Sequence, residues 1–126
     1  MEPLQVAKAL SEAFETKDLN KVRSLLHPEY TFKSPSMNFQ SPEEAIRALK
    51  LFPFKAKNEN ARYTVQENQV VQIFDWVVRE PFPMSVRMCD SLTIKDGKVI
   101  CEELFYDASR LPKAVNKILE KLKCEK

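Results

Sequence analysis

Met84-Ser85-Val86-Arg87-Met88-Cys89-Asp90-Ser91-Leu92-Thr93-Ile94-Lys95-Asp96-Gly97-Lys98-Val99-Ile100-Cys101-Glu102-Glu103-Leu104-Phe105-Tyr106 is the stretch that decides the fold. Up to Lys95 it alternates: Met84, Val86, Met88, Asp90, Leu92 and Ile94 share one face, and Ser85, Arg87, Cys89, Ser91, Thr93 and Lys95 share the other. Successive strand side chains point to opposite faces, so this is a strand with one face buried. Asp96-Gly97 is a hairpin signal. A second long strand then runs from about Lys98 to Tyr106.

Asp90 is the one residue out of place, a carboxylate among apolar neighbours on the buried face. Slipping the register by one residue would bury the polar face instead, so its placement is hard to avoid. Burial without a partner favours the acid form of an aspartate. The hairpin supplies candidate neighbours. A two-residue Asp96-Gly97 turn sets Asp90 opposite Glu103; a three-residue loop with Gly97 left-handed in a bulge sets it opposite Glu102. The second register is favoured, because Ile100, Leu104 and Tyr106 then share the face of Val86, Met88 and Leu92. Two facing carboxyls in a poorly solvated place share a proton, which suits acid–base chemistry. Backbone donors, or Arg62, Arg79 or Arg87, are the alternative partners for Asp90.

Outward from the hairpin, Leu4, Ala7, Leu10 and Phe14 recur at helical spacing. Asp18 is an N-cap for a shorter helix carrying Leu19, Val22, Leu25 and Leu26, closed by His27-Pro28. His27, the sole histidine, is expected at that helix end rather than as a base. Tyr30, Phe32 and Ser34 share the face of a short strand that Pro35 stops. Ser41-Pro42-Glu43-Glu44 is a helix start with a capping box, and Pro53 closes that helix. Strands follow over about 61–67 and 69–80, and an amphipathic helix begins after Pro112. The order predicts an α+β fold with a mostly antiparallel sheet. In the 69–80 strand Phe74, Trp76 and Val78 share one face while Val71, Ile73 and Val77 occupy the other. A strand apolar on both faces needs both covered; a homodimer through the sheet is the simplest account, and a strand fully enclosed within a monomer is the alternative.

Composition excludes several function classes. The chain holds 126 residues and a single glycine, so a Walker loop, a dinucleotide turn and a nucleophile elbow are all impossible. One histidine rules out multi-histidine zinc sites, and no metal or organic cofactor is expected. A net charge of +2 without a basic cluster argues against nucleic acid. Cys89, Cys101 and Cys124 form no paired motif; an odd count fits a reducing cytoplasm. Cys124 is expected to be exposed. No apolar run is long enough for a membrane span. Residues 1–126 are read as one soluble domain.

Phe14-Glu15-Thr16-Lys17-Asp18-Leu19, Leu25-Leu26-His27-Pro28-Glu29-Tyr30-Thr31-Phe32, Ser41-Pro42-Glu43-Glu44-Ala45-Ile46, the hairpin from Leu92 to Ile100, and Phe105-Tyr106-Asp107 together resemble the nuclear-transport-factor-2-like superfamily, in its SnoaL-like and ketosteroid-isomerase-like branch. The resemblance spans about residues 4–110. It implies a cystatin-like α+β barrel: a cone-shaped curved sheet wrapped around N-terminal helices, with a pocket inside. The helix after Pro112 would be an addition to that frame. It also implies a homodimer through the outer sheet face. On the isomerase pattern Asp90 falls at the late-strand acid, but Ser34 replaces the catalytic aspartate and Leu10 the oxyanion tyrosine. Asp90, Glu102 and Tyr106 are therefore the expected acid–base residues. Leu10, Phe14, Phe32, Ser34 and Phe52, with Val86, Met88, Leu92 and Leu104, are the expected pocket wall. The function implied is binding of a small apolar ligand, with cofactor-independent isomerase, cyclase or hydrolase chemistry. The alternative is a non-catalytic dimeric scaffold or protein-binding module.

Overall fold

A computed structural model of the chain describes residues 1–124, with the side chains of 123 and 124, and so the exposure of Cys124, outside what is described. Helices α1 (Pro3–Thr16) and α2 (Leu19–Leu25) lead into strand β1 (Leu26–Lys33) and a two-residue strand β2 (Asn38–Phe39). Helix α3 (Pro42–Leu51) follows, then β3 (Lys55–Gln66), β4 (Gln69–Glu80), β5 (Met84–Lys95) and β6 (Lys98–Phe105). A 3-10 turn (Ala108–Arg110) precedes α4 (Lys113–Cys124). The fold is α+β, with a six-stranded curved sheet in the order β2-β1-β6-β5-β4-β3. Only β1 and β6 run parallel; every other neighbour is antiparallel.

Local chemistry fixes the helix ends. Lys17 takes a left-handed conformation (φ 54°) after α1, and its N–H donates to the Ala13 and Phe14 carbonyls. Asp18 accepts from Lys21 N at 3.1 Å and so starts α2. Ser41 accepts from Glu44 N at 3.3 Å. The Glu44 carboxylate returns to Gln40 N at 3.0 Å, one residue outside the expected reciprocal cap. Strand β1 starts at Leu26, earlier than expected. Its ladder with β6 is irregular between Leu26 and Thr31, which is where Pro28, lacking an N–H, can be accommodated. His27 is thus a strand residue, its Nδ1 accepting from Glu29 N at 3.0 Å.

Two apolar clusters divide the interior. One packs α1, α2 and α3 through Val6, Leu10, Val22, Ile46 and Leu49 against Tyr30, Val70, Leu92 and Val99 of the sheet. The other packs Leu111, Val115, Leu119 and Leu122 against Phe54, Phe74, Val78, Val86 and Met88. The additional C-terminal helix therefore covers the half of the concave sheet that the N-terminal helices leave open.

The hairpin register differs from both expectations. Asp96 (φ 55°) and Gly97 (φ 74°) make a two-residue turn with Lys95 opposite Lys98. A bulge then intervenes: Ile94 faces Val99, but Thr93 faces Cys101, so Ile100 is the extra residue. Past it Asp90 lies opposite Leu104 and Glu102 opposite Leu92, not Asp90 opposite Glu103 or Glu102.

Candidate functional site

The bulge leaves Asp90 and Glu102 on the same sheet face as diagonal neighbours, a spacing that long side chains bridge. Gln72 on β4 lies directly opposite Asp90, and Phe32 on β1 pairs with Glu102. Among the described residues the buried polar or charged side chains other than tyrosine are Gln72 at 2% exposed and Asp90 and Glu102 at 4%. All of them meet in one cluster.

Hydrogen bonds within that cluster involve five elements. Tyr30 Oη donates to Glu102 Oε1 at 2.8 Å. Gln72 Nε2 donates to Asp90 Oδ2 at 3.2 Å and to Ser11 Oγ on α1 at 3.3 Å. Burial pushes Asp90 well above the usual carboxylate range; the charge of Glu102 and a hydrogen bond between the two carboxyls push the same way, and the Gln72 amide pulls back. Two carboxyls bond to each other only when one carries the proton. In ionised form Asp90 Oδ1 meets no protein donor, and Gln72 Oε1 meets none either. Burial, followed by the charge of Glu102 and the bond to it, also raises the Tyr30 phenol well above its ordinary value, so it stays a neutral donor. Arg87 projects from the other face and pairs with Asp75 at 2.8 Å, so it does not serve Asp90.

This polar cluster forms part of the wall of a cavity of about 210 Å³. Leu10, Phe14, Phe32, Phe52, Met88, Leu92 and Leu104 line it, as does Ser34. Val86 does not; it lies one step beyond Met88 on β5 and is packed in the cluster under α4 with Leu111 and Val115. Asp90, Glu102 and Tyr106 all reach the wall, but only the two carboxyls meet. Tyr106 donates instead to Ser36 Oγ in the β1–β2 connection. The phenol at the carboxyl pair is that of Tyr30, and its bond to Glu102 spans 72 residues of sequence. Gln72 had a legible signal: it interrupts the apolar face Val70, Phe74, Trp76 and Val78 of β4 just as Asp90 interrupts that of β5. Among the described residues, no lysine, arginine or histidine lines the cavity, and no three His, Cys, Asp or Glu side chains are grouped to hold a metal ion.

A curved six-stranded sheet covered by helices, with a buried carboxyl pair on its inner face, is a mixed α+β fold. The family model described as a SnoaL-like domain matches residues 7–102, and the chain belongs to that family. Among curated proteins none matches the sequence. Solved structures that resemble it include one assigned as a SnoaL-like polyketide cyclase from Shewanella denitrificans (TM-score 0.77, 11% identity, covering 85% of this chain and 91% of that one). An LEH-like epoxide hydrolase from M. tuberculosis also resembles it (TM-score 0.75, 14% identity, 98% and 96% covered). So does a protein assigned as a ketosteroid isomerase from Kribbella flavida (TM-score 0.73, 13% identity, 86% and 79% covered). At these identities the likeness shows the fold alone.

Proposed function

We propose that this protein binds a small, largely apolar ligand in the cavity and that Asp90 acts on the ligand's polar atom as a general acid. The observation that carries this reading is the buried Asp90–Glu102 pair on the wall of an otherwise mainly apolar cavity of about 210 Å³. An apolar cavity of about 150 Å³ holds benzene, so this one suits a substituted single ring. A carboxyl that holds its proton more tightly than usual can hand it to an oxygen or nitrogen and take it back. Glu102, held by Tyr30, raises the proton affinity of Asp90 through its charge, so Asp90 readily recovers the proton it gives. This is the chemistry of a cofactor-independent isomerase, cyclase or hydrolase, and the activities assigned to the structural neighbours fall in those classes.

The outer sheet face supports a homodimer. Ile73, Cys89 and Phe105 form one cross-strand row there, and Phe105 is 54% exposed. Free Cys89 and Cys101 suit a reducing cytoplasm. Among the described residues no helix is long and apolar enough to cross a membrane. Native mass spectrometry of protein purified from its host, followed by affinity measurements on Asp90→Asn, tests the ligand reading. A retained small molecule whose affinity falls in the variant is expected; unchanged affinity removes Asp90 from the site.

A further inference from the structure

The cavity is one-sided in charge. Asp90, Glu102 and Glu15 all reach its wall, and among the described residues no cationic side chain does. Glu15 is engaged, accepting from the backbone N–H of Asn58 at 3.0 Å. The other two face each other without a counter-ion. Beside them both hydrogens of the Gln72 amide nitrogen are committed, one to Asp90 and one to Ser11, which fixes the amide and leaves Oε1 unpaired. Asp90 Oδ1 is likewise without a protein donor. Once Asp90 has given up its proton the groups left over are all acceptors, and the net deficit is one of positive charge and of N–H or O–H donors. An anionic ligand would meet uncompensated repulsion; a neutral hydroxyl would answer one acceptor; an ammonium group brings both the charge and several donors.

We propose that the cavity selects a small apolar amine, seating its nitrogen against Asp90 and Glu102 beside the Gln72 carbonyl oxygen. This rests on the cavity being a ligand site and adds the chemical class of the ligand. The proton balance is explicit. The amine enters as the free base, its ammonium proton left to solvent; the Asp90 O–H bond then breaks as an N–H bond forms on the ligand, so one proton is released overall. The groups that face Asp90 and set this exchange are Glu102 on β6, Gln72 on β4 and Ser11 on α1, with Tyr30 on β1 holding Glu102 and Cys89 adjacent on β5 itself.

Three ring compounds of one shape provide the test: cyclohexylamine, cyclohexanol and cyclohexanecarboxylate, titrated by calorimetry at neutral pH into the full-length protein. The amine is expected to bind at least about tenfold tighter than the alcohol, the difference between a charge-assisted and a neutral hydrogen bond. The carboxylate is expected to bind weakest. Amine binding repeated in two buffers of different ionisation enthalpy is expected to release close to one proton per ligand, a readout that needs no variant. In Asp90→Asn, checked for folding by circular dichroism, the amine preference and the proton release should both disappear. Alcohol binding equal to or tighter than amine binding, or amine binding without proton release, overturns the amine assignment while leaving a small-ligand cavity standing. Failure of all three compounds to bind overturns both.

Discussion

Replacing Asp90 with asparagine should make the protein progressively more stable than the wild type as the pH rises. An aspartate in the unfolded chain titrates near about 3.9. In the fold Asp90 is held well above that, by burial first and by Glu102 second. Between those two values the folded state binds one more proton than the unfolded state. The raised group therefore contributes its full stability below about pH 3.9 and loses it as the pH climbs toward the folded value, at about 1.4 kcal/mol per pH unit. Asparagine reproduces the acid form: its carbonyl can accept from Gln72 Nε2, as Asp90 Oδ2 does at 3.2 Å, and its amide can donate to Glu102. It has no proton to lose. Urea unfolding of both proteins at a series of pH values from about 4 upward should show a stability difference that grows with pH in favour of the variant. Carboxyls remote from Asp90 titrate in both proteins and cancel. A difference that stays constant with pH would refute the raised acid and the pairing with Glu102.

Tyr30→Phe removes the donor at 2.8 Å from the buried Glu102 carboxylate and should cost about 1.5–3 kcal/mol in urea unfolding. Gly97→Ala should cost about 1–2 kcal/mol from backbone strain alone, because Gly97 sits at φ +74° and a Cβ there would meet nothing within 4 Å. Loss of folding would indicate a steric role instead. Phe105→Glu places a charge on the exposed apolar row of the outer sheet and should convert a dimer to monomer in sedimentation at micromolar concentration; a wild type that is itself monomeric contradicts the dimer.

The hairpin strands were legible because period-two alternation is local, and Asp90 stood out for the same reason. Helix starts were legible through Asp18 and Ser41, whose side chains cap the backbone within three residues. What escaped was set at long range. Lys55 to Asn60 carry no clear apolar period, and β3 extends over them only because β4 pairs there, with Asn60 (φ 56°) taking up an irregularity between Glu59 and Arg62. The bulge at Ile100 left no local sign, yet it shifts every pairing beyond it and turns the expected direct carboxyl contact into a diagonal one. Tyr30 looked like an ordinary face residue, since nothing near it in sequence names Glu102 as its partner. Val86 had the right alternation for the pocket and the wrong depth, because α4 covers that end of β5.

The ionisation of Asp90 inside the cavity is the claim on which the rest stands. Carbon-13 NMR of its side-chain carboxyl, assigned by comparison with Asp90→Asn and followed through a pH titration, measures it directly. The expected result is an Asp90 carboxyl still protonated at neutral pH. An Asp90 that titrates near the ordinary value of about 3.9 would contradict the buried acid, and with it the acid chemistry assigned to this cavity.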